Sequence, residues 1–170
     1  MKKILFLLIT VHCFAQAPQV EWQKLYGGSN EDYANYAMQT SDGGYVAVGA
    51  TASNDGDVIG FYGGYDLWIL KLNAAGELQW QQTLGANQFE YGYSVVETND
   101  GNFMVAGSAS SSESGIIGLH GGSDFIVIKV SPEGNIVWKK VYGGTQEEVA
   151  KSIIKTSDGG YILIGQASSN

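Results

Sequence analysis

The sequence contains no arginine. All nine of its basic residues are lysines, set against 17 acidic ones, and the formal net charge is −8. Nucleic-acid recognition calls for a cationic surface and guanidinium forks on phosphates and base edges, so that class is excluded. Adhesion to anionic lipid surfaces is excluded on the same ground. Cysteine stands at one position, Cys13, and there are two histidines, His12 and His120. A disulfide framework therefore cannot form within the chain. Two prolines against 24 glycines indicate many turns in a folded chain rather than a disordered tail. After the first residues no apolar run is long enough to cross a bilayer as a helix. No HExxH, CxxC, Walker, GxGxxG or serine-nucleophile motif is present. Adjacent acids such as Glu147 and Glu148 occur, but nothing sets them across a cleft as a glycosidase pair would need.

The N-terminus reads as a separate segment. Met1-Lys2-Lys3 is a short basic start, residues 4–11 are apolar, and Cys13-Phe14-Ala15 offers small residues at the two positions that signal peptidase reads. The pattern predicts a signal peptide over residues 1–15, cut between Ala15 and Gln16, and a chain that is secreted or held at the cell surface. His12 occupies the place before Cys13 where a lipoprotein signal requires a small residue, so lipidation is not expected. Cleavage would remove the only cysteine and leave His120 as the only histidine.

What the sequence does have is repetition. Thr40-Ser41-Asp42-Gly43-Gly44-Tyr45 recurs letter for letter at residues 156–161, and a degenerate copy, Thr98-Asn99-Asp100-Gly101-Asn102-Phe103, stands midway, 58 residues from each. Trp22, Trp80 and Trp138 share that spacing, as do Gly49, Gly107 and Gly165, and as do the pairs Asp66/Asp124, Lys71/Lys129 and Gly76/Gly134. Residues 22–79 lie over 80–137 without a gap, with sixteen of the 58 positions identical. A period of this length marks a propeller, a solenoid or an array.

Each unit reads as four short strands. In the first these are residues 33–40, 45–51, 66–72 and 77–84, joined by a tight Asp42-Gly43 hairpin turn of type I′, a long loop over 52–65, and a turn over 73–76. No window carries a helical period. The third strand, Leu67-Trp68-Ile69-Leu70 and its copy Phe125-Ile126-Val127-Ile128, is apolar on both faces and so needs cover on both sides. Four-stranded antiparallel units covered on both faces by their neighbours are propeller blades. The expectation is an all-β, β-propeller-like array of about two and a half blades. It comprises an N-terminal segment, 16–32, with an orphan fourth strand around Trp22, then blades at 33–86 and 91–144 and a partial blade at 149–170. Two complete blades do not close a ring, so the reading is of a fragment whose partners include further blades of the same protein, the alternative being assembly between chains.

The order of motifs resembles a repeat common in exported Bacteroidetes proteins. It runs through Trp22 to Gly28, Thr40 to Tyr45, Gly49 to Asp57, Gly63 to Leu72 and Gly76 to Trp80. The resemblance implies a β-propeller, association with type IX secretion, and no assigned activity. The Gly-x-x-x-Trp spacing of Gly76/Trp80 and Gly134/Trp138 also resembles the tryptophan-docking motif of quinoprotein propellers, as shared packing without the cofactor.

Residues that recur serve the scaffold. Trp22, Trp80 and Trp138 are expected to pack between neighbouring blades, the alternative being a rim of aromatics that stacks on sugar. Asp42, Asp100 and Asp158 belong to the turns. Asp66 and Asp124 are expected to accept backbone N–H bonds, with Lys71 and Lys129 pairing at the strand ends. Specificity is left to residues that do not recur, and the long loops over 52–65 and 110–123 supply Phe61, Tyr62, Tyr65 and His120 as candidate ligand contacts. Asn54, Asp55 and Asp57 resemble the start of a calcium loop, although the full signature is missing and Ser112-Glu113-Ser114-Gly115 has lost most of the charge. The functional expectation is a noncatalytic exported module that binds an extracellular protein or a glycan, with no cofactor beyond that calcium candidate. The competing reading is the scaffold part of a secreted hydrolase or lyase whose catalytic residues lie in missing blades.

Overall fold

The structure, a computed structural model, describes residues 19–111 and 116–168. The signal-peptide segment and Ser112 to Gly115 lie outside the described residues. The described chain is all-β, with ten strands and no helix among them. In chain order they are β1 (Asp32–Gln39), β2 (Tyr45–Thr51), β3 (Asp66–Leu72), β4 (Leu78–Leu84), β5 (Glu90–Glu97), β6 (Phe103–Ala109), β7 (Asp124–Val130), β8 (Ile136–Tyr142), β9 (Glu148–Lys155) and β10 (Tyr161–Ala167). They form two four-stranded antiparallel sheets, β1-β2-β3-β4 and β5-β6-β7-β8, and a two-stranded sheet, β9-β10.

The sheets stack face to face with a fixed polarity. Val46, Val48, Leu67 and Ile69 of the first sheet meet Phe103, Val105, Ile126 and Ile128 of the second. The opposite face of the second sheet, with Met104, Ala106 and Val127, meets Ala150 and Ile153 of β9. Met104 and Ala106 are the 58-residue equivalents of Val46 and Val48, so the same face points toward the C-terminus each time. All seven residues of β3 are buried, as are all seven of β6. β5 packs on β1, β2 and β3, and β9 on β5, β6 and β7, whereas β8 has no comparable contact with any strand of the first sheet. The sheets are therefore closest at their first strands and splay toward their fourth. The wedge between the first two is filled by Ile116 of the long loop, fully buried, and by half-buried Trp80 and Leu119. Burying such side chains stabilises the stack by about 1.5–3 kcal/mol each.

Trp22 is not in a strand. Residues 19–28 form no ladder with any described strand. The segment instead lies across the outer face of the first sheet, where Trp22 and Tyr26 join Val58, Trp68, Leu70 and Leu72. An apolar groove of about 210 Å³ remains beside it, lined in part by Tyr26, Tyr33, Ala47, Trp68 and Leu70.

The hairpin turn also differs from the expected type I′. The Gly43 amide bonds to the Thr40 carbonyl (2.9 Å) and the Thr40 amide to the Gly44 carbonyl (2.9 Å). Ser41 and Asp42 are thus the central residues, and the positive φ falls on the next residue, Gly43 (82°). This is the three-residue hairpin loop, in which a glycine follows an ordinary turn. The hexapeptide owes its recurrence to this geometry. The Asp42 carboxylate accepts the Thr40 hydroxyl, the Gly44 amide (2.9 Å) and the Lys71 ammonium (2.9 Å). Thr98, Asp100 and Lys129 repeat the arrangement, the last pair at 2.8 Å.

Candidate functional site

Three irregularities in the first strand of each unit position the candidate site. The β1–β2 register skips Asn35, the β5–β6 register skips Tyr93, and the β9–β10 register skips Lys151. These are one position in the repeat, and in each case the extra residue is a β-bulge. A bulge bends its strand and re-aims one side chain. It also explains Gly49, Gly107 and Gly165 opposite it: a Cβ there would overlap the carbonyl oxygen of Tyr33, Tyr91 or Val149. The bulge residues reach across to the neighbouring sheet. Asn35 Nδ2 donates to the Gly92 carbonyl (2.8 Å), and Lys151 Nζ stands 3.9 Å over the centre of the Tyr93 ring.

Around this row five rings gather at the junction of the first two sheets. Tyr65 leads into β3 and pairs with Phe89 in an isolated parallel bridge, held by Glu90 N to Tyr65 O (2.7 Å) and Tyr65 N to Gln88 O (3.1 Å). Tyr33 and Tyr91 come from the first strands. Ring centroids lie 5.7 Å apart for Tyr33–Tyr65, 5.8 Å for Tyr65–Tyr91, 6.4 Å for Phe89–Tyr91 and 6.1 Å for Tyr91–Tyr93. Phe89 and Tyr91 are close to parallel, at 11°. Phe89 is 48% exposed and Tyr33 38%. The Tyr65 hydroxyl donates to Glu31, which holds the phenol in its neutral form, and burial does the same for Tyr33.

Beneath the rings lies a buried acid pair. Asp66 and Glu90 are fully buried, and one oxygen of each stands within 3 Å of where a Gly85 Cβ would be. Glu90 accepts the amides of Ala86 (3.0 Å) and Ser111 (2.9 Å) and the Ser111 hydroxyl (2.7 Å). Asp66 Oδ2 accepts the Tyr62 amide (2.7 Å), while Oδ1 has no hydrogen-bond partner. Burial, with the charge of Glu90 added, pushes the Asp66 carboxyl up to about 6. Asp124, Gly143 and Glu148 repeat this geometry at the next junction, and Asp124 Oδ1 is again without a partner.

The four loop candidates are not brought together. Tyr65 joins the aromatic group. Phe61 turns inward and packs with Val58 and Trp68. Tyr62 is 61% exposed and contacts Asp66 through its backbone. His120 occupies the equivalent place in the second unit, its amide donating to Asp124 (2.7 Å) and its exposed ring Nδ1 3.4 Å from the same carboxylate. Asp55 and Asp57 face the Gly27–Gly28 loop, where they accept the amides of Ser29 (2.7 Å) and Gly27 (3.1 Å), and Asn54 is exposed beside them. Among the described residues no group of three or more His, Cys, Asp or Glu side chains is arranged to hold a metal ion.

The tryptophans sit at the splayed side of the sheets. The Trp22 ring lies over Gly76, whose Cβ would stand 2.7 Å from it, and Trp80 covers Gly134 in the same way at 2.8 Å. Trp80 Nε1 donates to the Pro132 carbonyl (2.8 Å). Trp138 packs with Met104, Val127 and Ile153. The turn aspartates face the opposite end of the sheets from the rings. The hydrogen bond from Lys71 holds Asp42 well below the usual carboxylate range, that from Lys129 does so for Asp100, and the Thr156 hydroxyl and Gly160 amide lower Asp158.

Sequence reasoning missed Tyr33, Phe89, Tyr91 and Tyr93. A signal was there: Phe89 interrupts the series Glu31, Phe89, Glu147, and Tyr93 the series Asn35, Tyr93, Lys151. Both are aromatics that replace polar residues at one repeat position, Phe89 exposed and Tyr93 half-buried. No protein-family model and no curated protein matches this sequence.

Proposed function

We propose that the chain is an arc of β-propeller blades from an exported protein, and that it acts as a noncatalytic module binding an extracellular protein or a glycan. The propeller reading is supported by the head-to-tail stacking of equivalent faces, and by sheets that touch at their first strands and splay at their fourth. Further blades would then cover the outer face of the first sheet and the exposed Ile162 and Ile164 of β10.

One observation carries the binding reading. At the first junction Asn35 and Tyr93 of the bulge row, and Tyr65 and Phe89 where the next unit has Ser123 and Glu147, meet beside the recurring pair Tyr33 and Tyr91. The test is a panel of extracellular proteins and polysaccharides offered to the purified chain in biolayer interferometry, with mass spectrometry of the ligand afterwards. The expected result is saturable binding with the ligand recovered unchanged. Cleavage of the ligand would replace this reading by the enzymatic one, and a panel without any saturable partner would remove it.

A further inference from the structure

We propose that Tyr33, Tyr65, Phe89, Tyr91 and Tyr93 form a stacking platform for a neutral carbohydrate. This rests on the reading of the chain as a binding module and assigns its site and ligand class.

The scaffold does not require these rings. The second and third sheets meet through the same backbone features, a parallel bridge between Ser123 and Glu147 and a bond from Glu148 N to Ser123 O (2.7 Å). There four of the five side chains change, the equivalents of Tyr65, Phe89, Tyr91 and Tyr93 being Ser123, Glu147, Val149 and Lys151, while that of Tyr33 is Tyr91. One chain thus builds the junction twice, once with rings and once largely without. Aromatics at the first junction, with Phe89 half exposed, are an addition to what the fold needs.

Charge selects the ligand class. Glu31 stands at the Tyr65 side of the platform, and Lys151 covers the Tyr93 face. The lysine occupies the position over a ring that a cationic ligand would seek. An anionic polymer meets a chain of net charge −8. A pyranose carries no charge, presents a C–H face to an aromatic ring, and offers hydroxyls to flanking polar groups. Glu31, Asn87 and Gln88 are exposed around the rings for that purpose.

The test is affinity electrophoresis of the full chain in native gels containing hydroxyethyl cellulose, arabinoxylan, galactomannan or soluble starch. Two variants are compared with wild type: Tyr65→Ser with Phe89→Glu, which gives the first junction the side chains of the second, and Phe89→Ala alone, which removes only an exposed ring. Tyr142→Ala, an exposed ring outside the group, is the control. Wild type and Y142A should be retarded by at least one polysaccharide, with dissociation constants weakened about tenfold or more in both platform variants. Equal retardation of wild type and F89A would overturn the platform while leaving a binding module elsewhere on the chain. No retardation by any polysaccharide would overturn the carbohydrate assignment. In that case, binding of a lysine-rich peptide lost in F89A would reassign the rings to peptides, and failure of the peptide too would leave the platform without a ligand class.

Discussion

Two buried carboxyls, those of Asp66 and Glu90, lie beside Gly85. Glu90 accepts hydrogen bonds from Ala86 and Ser111, whereas Asp66 Oδ1 accepts none. Folding therefore favours the protonated Asp66. Its folded pKa of about 6 lies above the ordinary Asp value of about 3.9. The stability this group contributes is fully present below about pH 4 and is lost as the pH rises through about 6, a loss of about 2–3 kcal/mol. Asp66→Asn keeps an acceptor for the Tyr62 amide and gives Glu90 an N–H donor without a charge. It should raise stability at pH 8 by about 2 kcal/mol and change it little at pH 4, measured by urea unfolding at both values. A loss at pH 8 would mean that Asp66 is held as a carboxylate. Asp42 works with the opposite sign. Its depressed pKa contributes stability above about pH 4 that is lost as acid protonates it. Asp42→Asn should cost about 1 kcal/mol at pH 7, since Asp42 is itself exposed but Lys71 is buried.

At the scale of the strand, bulge and glycine form one device. Gly107→Ala would drive a methyl group into the Tyr91 carbonyl and should destabilise the chain by about 2–3 kcal/mol, whereas the neighbouring Ser108→Ala should cost less than half of that. Thermal melts of the pair check it. Trp80→Ala removes the ring that rests on Gly134 and fills the wedge, and should cost about 3 kcal/mol in the same melts. The strands themselves were legible in the sequence, because β3 and β7 write burial on both faces directly as apolar runs, and Asp-Gly marks the hairpins. The bulges were not, because a shift in the middle of an eight-residue strand leaves only three or four residues on either side, too few for the break in alternation to be read. Gly49 recorded the bulge, but as a spacing whose reason lies in the Tyr33 carbonyl opposite. The turn type escaped because Asp-Gly suits a two-residue loop equally well, and Thr40, whose amide and carbonyl close it, decides otherwise. Of the candidate site, Tyr65 was legible from its loop, but its partnership with Tyr33 and with Phe89 and Tyr91, each 24 or more residues from it, is set by how sheets stack.

Across the whole molecule, stability is a sum over junctions, as in other repeat arrays. β6 and β7 belong to the only sheet with four strands and a described sheet on both faces. β10 has Ile162 at 46% and Ile164 at 57% exposure. Hydrogen exchange should therefore be slowest in β6 and β7 and fastest in β10, with β1 between them. Uniform protection across all ten strands would show instead that the chain opens only as one cooperative unit.

The fixed polarity of the stack has a genetic consequence. Each sheet presents one kind of face forward and the complementary kind backward, so a tandem duplication of 58 residues adds one sheet and one complete junction wherever its breakpoints fall. No unmatched surface is created, and the new copy arrives with its own bulge position free to vary. A duplication one residue longer or shorter would turn alternate side chains to the wrong face in the strand where it lands. Unequal recombination in such a gene can lengthen or shorten the array in whole units while the codons for Asn35, Tyr93, Lys151 and the rings beside them diverge independently.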